Sequence, residues 1–224
     1  MNYREKNMQV KKLNVAAVQS AGERAILEAA VRLFSENGYG AVSMRSVALE
    51  AGVSKANIYH HFESKEALYR AILDSSAAEL SALVNDLADS TGPLHSRLFE
   101  FASAHRRHME ENALTLRLVL RESFSGDEER SKVLGEEVFA GIFDRIVSIF
   151  HAGQKAGELR PDLDPALCAT LLMGADVFFF QARDVLKHLP RAEFADHPAQ
   201  FSKEMVEVLL RGMLVPGTSE EFGS

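Results

Sequence analysis

The segment from Ser43 to Phe62, SMRSVALEAGVSKANIYHHF, constrains the fold of this chain more tightly than any other. Two short helical patterns, Ser43 to Ala51 and Ser54 to His61, flank Gly52, a residue free to take the positive φ of a tight turn. That spacing is a helix-turn-helix. Ala48 is small where the two helices would cross, and Val53 and Ile58 are placed to enter a core with Val47 and Phe62. Lys55, Ala56, Asn57, Tyr59 and His60 are then left on the outer face of the second helix. A short helix that shows such groups outward, with its N-terminus projecting, suits the major groove of DNA.

Side-chain chemistry assigns each group a role. Lys55 can donate to guanine O6 or N7, and Asn57 can bond adenine at N6 and N7. Ala56 allows close approach or contact with a thymine methyl group. Ser43, Arg45, Tyr59, His60 and Lys65 carry donors suited to phosphate oxygens, and Ser43 and Ser54 open the two short helices, whose backbone N–H groups add to the set. His60 and His61 are adjacent on a helix, about 100° apart, so one metal ion is poorly placed to take both. The net charge of −7 conceals a split: residues 1–70 hold ten Lys/Arg and seven Asp/Glu, so the excess of acid lies wholly in the remainder. A mildly basic head on an acidic body fits a chain whose N-terminal part meets a polyanion.

Helical periodicity runs through the rest, with no alternating strand, which predicts an all-α chain of about nine helices. Ser20-Ala-Gly-Glu23 is a capping box. It is followed by an apolar stripe of Ile26, Ala29, Ala30, Leu33 and Phe34, ended by Asn37-Gly-Tyr-Gly40. Further helices are expected at about 64–89, 94–110, 112–124, 125–156, 165–189 and 198–214. Ser125-x-x-Glu128 offers a second capping box, and Asp164-Pro165 an N-cap followed by the preferred first-turn proline.

The stretch GAVSMRSVALEAGVSKANIYHHFESKEAL (40–68), with Ala30-Val-Arg-Leu-Phe34-Ser-Glu-Asn-Gly38-Tyr39 before it, resembles the DNA-binding signature of the TetR family of bacterial transcriptional regulators. The match covers about residues 20–72. Ala56 departs from it, standing where many relatives have glycine. Downstream only the helix pattern, the length and the Gly-Glu-Leu-Arg-Pro-Asp-Leu-Asp-Pro run at 157–165 look familiar. The resemblance implies a homodimer on a pseudo-palindromic operator, a ligand-responsive helical C-terminal domain, and repression relieved by a small effector. It divides the chain into a basic arm (1–19), a helix-turn-helix domain (20–72), an effector-binding and dimerisation domain (73–215) and a tail (216–224). It calls for no cofactor and no metal.

Within the body, Ala166 to Phe180 is apolar nearly all round, so it sits inside a large core or between two chains. Val206, Val208, Leu209, Leu210, Met213 and Leu214 on the last helix fit either case. The resemblance favours a homodimer through about 165–189 and 198–214. Asp176, amid apolar neighbours, needs a partner: Arg117 or Arg121, an effector, or a polar seam. Arg121 is a candidate anchor for an effector carboxylate, or an exposed side chain. Phe124, Phe139, Phe143, Met173 and Phe180 are candidates to line an apolar pocket with His105, or are simply core. His105 and His108 share a face, and with His151 and Cys168 they make a metal site conceivable. An exposed basic turn is the preferred reading of the two histidines, because Arg106 and Arg107 lie between them.

Other classes fall away. A single cysteine, Cys168, excludes an internal disulfide framework. The apolar run is too short and too interrupted for a membrane span, and the first residues hold no apolar signal core, which points to a cytoplasmic protein. No glycine-rich phosphate loop, HExxH or GxSxG is present, so no enzyme is expected. The acidic run Asp127 to Glu137 reads as a solvated helix face. A helical module whose head docks a protein is the competing function. The arm's Arg4, Lys6, Lys11 and Lys12 are placed to follow a DNA backbone or enter a minor groove.

Overall fold

Gly38 and Gly52 set the two turns on which the N-terminal unit is built. The computed structural model describes residues 20–124 and 128–215; the arm, Ser125 of the second capping box and the tail lie outside the described residues. Helix α1 (Ala21–Asn37) starts where the Ser20 hydroxyl accepts the Glu23 N–H at 3.1 Å, and it stops where Gly38, at φ +80°, donates to the Phe34 carbonyl at 2.9 Å. Gly52, at φ +68°, turns α2 (Met44–Glu50) into α3 (Lys55–His61). The core of this unit is Ile26, Phe34, Val47, Ile58, Leu68 and Ile72, all sealed from solvent. Val53 is only half-buried, but Ala48 and Phe62 are buried as the sequence predicts.

Helix α4 (Lys65–Asp89) follows, then α5 (Leu94–Glu111) and α6 (Ala113–Ser123). Helix α7 (Glu128–Lys132) runs through π-type turns over Val133–Phe139 into α8 (Ala140–Lys155). The sequence reads that stretch as one ordinary helix. Its buried residues Leu134, Val138, Ile142 and Ile146 recur every four residues, and each such step overshoots one face of a 3.6-residue helix by about 40°. The first of these steps, Leu134 to Val138, lies within the π turns. Helix α9 (Pro165–Leu186), a short 3₁₀ turn at Glu193–Asp196 and α10 (Pro198–Met213) complete the described chain. With α7, the π turns and α8 counted as one rod, the described residues form nine helices and no strand. The chain is all-α.

Two compact units emerge, drawn differently from the expected 20–72 and 73–215. One takes the chain to Glu79 together with Glu111–Val138; the other takes Leu80–Glu110 and the residues from Phe139 on. The first is larger than the motif because α6 packs along α1. In the second, α8 and α10 pack on α9. The Asp164 carboxylate caps α9 through the Ala166 N–H at 2.8 Å, and Pro165 opens its first turn, as the sequence predicts. The Arg97 guanidinium closes the C-terminus of α4 by donating to the Leu87 carbonyl at 2.8 Å. Taken whole, α9 is long and apolar enough to cross a membrane by length and composition, which the shorter run considered from sequence was not. Its middle, however, carries the buried Asp176, bonded to a polar partner on α5.

Ile58 ties α3 to the rest of its unit. Replacing Ile58 with Ala should cost about 2–5 kcal/mol, read as a lower urea midpoint with unchanged slope. A cost below about 0.5 kcal/mol would show that α3 is not anchored by this residue.

Candidate nucleic-acid interface

The α2 and α3 helices have only seven residues each, so their ends matter more than their middles. Ser43 and Ser46 exchange bonds in a capping box: the Ser43 hydroxyl accepts the Ser46 N–H at 3.1 Å, and the Ser46 hydroxyl accepts the Ser43 N–H at 3.0 Å. The Ser54 hydroxyl accepts the Asn57 N–H at 3.1 Å. Both serines therefore hold the helix starts in place. Ser46 was not singled out from sequence, although a serine three residues after Ser43 was the signal.

One side of this pair is open. Arg45, Lys55, Ala56, Tyr59 and His60 are exposed, together with Ser43 and Ser54. Lys55 Nζ lies 5.9 Å from the Tyr59 ring centre, one helical turn away, which orients the lysine stem along the outer face. These seven residues lie open to solvent, as their expected roles require.

Two expected members do not. Asn57 is half-buried, and its Oδ1 is sealed from solvent without a hydrogen-bond partner among the described residues. It faces the first turn of α1: a Cβ built on Gly22 would lie 3.7 Å from Asn57 Oδ1 and 3.7 Å from His61 Nε2. The outward placement read from the sequence is corrected, because the crossing of α3 with α1 turns this position back toward the core. Lys65 is the second correction. Its ammonium donates to the carbonyls of Tyr39 at 2.9 Å and Val42 at 3.0 Å, and it lies 4.2 Å from the Tyr39 ring centre. It latches the loop that delivers Ser43 to the start of α2.

Tyr39 is the residue sequence reasoning undervalued, having been read only as part of a helix end and a family signature. Its hydroxyl donates to Glu66 at 2.7 Å, its ring stacks on Phe34, and both Lys65 and the Arg130 guanidinium lie over it. Arg70 adds a second tie between α4 and the π turns, 2.6 Å from Glu137 and 2.9 Å from Asp74.

The comparisons with known proteins agree with this geometry. Residues 26–72 match the model for bacterial regulatory proteins of the tetR family. The transcriptional regulatory protein RaaS of Mycobacterium tuberculosis is 29% identical over 193 residues, covering 84% of this chain and 85% of RaaS. Residues 26–72 are a tetR-family DNA-binding domain. Two solved structures show the same fold along nearly the whole length. The fatty acid degradation regulator FadR from Bacillus halodurans gives a TM-score of 0.72 at 17% identity, covering 87% of this chain and 97% of that one. A complex of SmeT with triclosan gives 0.68 at 18% identity, covering 88% and 94%. The chain is a DNA-binding, helix-turn-helix transcription regulator.

The proposed pocket set of this regulator is not assembled as the sequence reading has it. Arg121 is exposed, the alternative that the sequence reading leaves open, and lies against Gly38 at the end of α1 in the first unit. Phe124, in that same unit, is 74% exposed. Phe139, Met173 and Phe180 in the second unit are half-buried, and Phe143 is exposed. His105 and Asp176 do meet: His105 Nδ1 is 3.1 Å from Asp176 Oδ2, with both side chains buried. The partner of Asp176 is therefore His105, not Arg117, which is exposed, or Arg121. His105 is thus no part of an exposed basic turn. His151 is exposed beside Gln154, and burial pushes the Cys168 thiol above its ordinary range. Among the described residues no group of three or more His, Cys, Asp or Glu is placed to hold a metal.

The latch separates structure from phosphate contact. Lys65→Met strands two carbonyls and should lower stability by about 1–3 kcal/mol, while leaving the salt dependence of DNA binding at its wild-type slope. A slope smaller by about 1 would restore Lys65 as a phosphate contact.

Proposed function

We propose that this regulator is a homodimeric repressor that binds an inverted-repeat operator and is released by a small, apolar effector held in the body. The observation that carries the reading is the exposed set Arg45, Lys55, Ala56, Tyr59 and His60 around two capped short helices. Lys55 reads guanine, Ala56 permits close approach, and Ser43, Ser54, Arg45, Tyr59 and His60 hold phosphates, by themselves or through the helix starts they cap. Asn57 and Lys65 support that surface from behind.

The dimer reading is supported by α9. Leu167, Leu171, Phe178 and Val185 recur along one of its faces and are 45–65% exposed, and Val208 of α10 is 70% exposed. Such a row left in water marks an interaction surface. A second copy covers it by two-fold symmetry, making four helices from two chains and presenting two α3 helices to two half-sites. The effector reading is supported by the fold that this chain shares with SmeT, whose structure holds triclosan, and with a regulator of fatty acid degradation. The protein works in the cytoplasm, where its DNA is, and carries out no catalysis.

Selection of bound fragments from source genomic DNA by the purified chain, near physiological salt, tests the reading. Enrichment of a shared inverted repeat is expected; a stable protein that enriches no sequence overturns it. On that repeat, Lys55→Ala or Tyr59→Ala should weaken binding by about 1–3 kcal/mol. Phe178→Glu should give monomers in sedimentation and lower operator affinity by at least about tenfold through lost bivalency. A Phe178→Glu chain that stays dimeric would place the interface elsewhere.

A further inference from the structure

The chain has a net charge of −7 and its excess of acid lies beyond the head, so a cavity with a net positive lining is out of keeping with the body around it. The second unit holds one. A cavity of about 340 Å³ opens where the end of α4 and the first turn of α5 meet the C-terminal half of α8. That volume falls within the range of small-molecule sites, roughly 300–1,000 Å³. Its apolar wall is Leu94, Ile149, Ala152 and Gly153. The wall is tightly packed: a Cβ on Gly153 would lie 2.5 Å from Leu94 Cδ2. Arg97, Arg145 and Glu158 supply the charges. The Glu158 carboxylate is spent on the Leu94 N–H, 2.8 Å away at the start of α5. Arg97 Nε donates to the Ser90 hydroxyl at 3.0 Å and Nη2 to the Leu87 carbonyl at 2.8 Å and the Ala88 carbonyl at 3.5 Å. Those bonds fix the plane of the guanidinium and leave the two N–H groups of Nη1 unused. Arg145 lies 3.8 Å from Asp89, and with side chains 50% and 79% exposed this pair is too wet to hold it firmly. The Ser148 hydroxyl, also in the lining, donates to the Asp144 carbonyl at 2.8 Å and has no hydrogen left to offer.

We infer that this cavity binds an organic monoanion, with a carboxylate held by Arg97 and Arg145 and an apolar body against Leu94 and Ile149. Two positive charges against the one negative charge of Glu158 leave a single charge to balance, which suits a carboxylate and disfavours a phosphate dianion. Guanidinium and carboxylate also match in shape through paired N–H groups. Arg97 is ordered before the ligand arrives, so little freedom is lost on binding, and Arg145 exchanges Asp89 for the ligand. The site goes beyond the effector reading above and stands on its own lining, whether or not its occupant releases DNA.

The test is calorimetric titration of the full chain at neutral pH with 2-naphthoate and with 2-naphthamide, which keeps the rings and the shape but carries no charge. The wild type should bind 2-naphthoate at least about tenfold more tightly, the value of a charge-assisted hydrogen bond. Arg145→Gln should lower affinity for 2-naphthoate by about tenfold and leave 2-naphthamide unchanged, which places the bound compound in this cavity. Glu158→Gln still offers an oxygen to the Leu94 N–H but removes the opposing charge, so it should bind 2-naphthoate several-fold more tightly than the wild type. A role confined to capping α5 would give no such gain. Thermal melts of both variants confirm that they fold. Failure of both compounds to bind, equal affinity for the two, or a folded Arg145→Gln chain that keeps the wild-type preference overturns the inference. So does a folded Glu158→Gln chain with no gain. Failure of the effector reading shows separately, as operator DNA that no compound in a diverse set releases.

Discussion

A seven-residue helix has no stability of its own, because nucleation costs more than so few hydrogen bonds return. The surface that meets DNA exists only because Ile58, fully buried, holds α3 in the core formed with α1 and α2. Every other feature of the head serves that constraint. Gly52 sets the turn, the serine caps remove orphan N–H groups, and the outward residues of α3 are then fixed by rotation alone. Affinity for DNA is in this sense a property of the core of the first unit, expressed at its surface.

The same unit is braced from the side. Lys65 grips two carbonyls of the loop before α2, Tyr39 packs between Phe34 and Tyr69, and Arg130 lies over the same ring. Arg70 joins α4 to Glu137 in the π turns. The rod that carries Arg130 and Glu137 continues into α8 of the second unit, and α4 likewise passes from one unit to the other.

What was legible in the sequence is what local chemistry decides. Ser20, Ser54 and Asp164 cap helices where their position before an apolar pattern says they should, and Gly52 turns as its place between two helices requires. What was not legible depends on partners distant along the chain. Asn57 turns inward because α1 crosses α3 there, and no periodicity within α3 records that crossing. Lys65 has the chemistry of a phosphate contact, but two carbonyls 26 and 23 residues earlier claim it first. Asp176 announced that it needed a partner, and His105 lies 71 residues away on a helix whose arginines suggested exposure. The π turns stayed hidden because an apolar residue every four positions, as at Ile142 and Ile146, occurs in an ordinary helix as well.

The central claim is that α3 enters the major groove in two symmetry-related half-sites. Dimethyl sulfate protection reports it most directly, because guanine N7 lies in the major groove and adenine N3 in the minor groove. On the operator recovered by selection, protected N7 positions should fall in two clusters about one helical turn apart, or a multiple of it. Lys55→Ala should lift protection at one guanine in each cluster. Protection confined to adenine N3, or a single unpaired cluster of N7, would contradict the account.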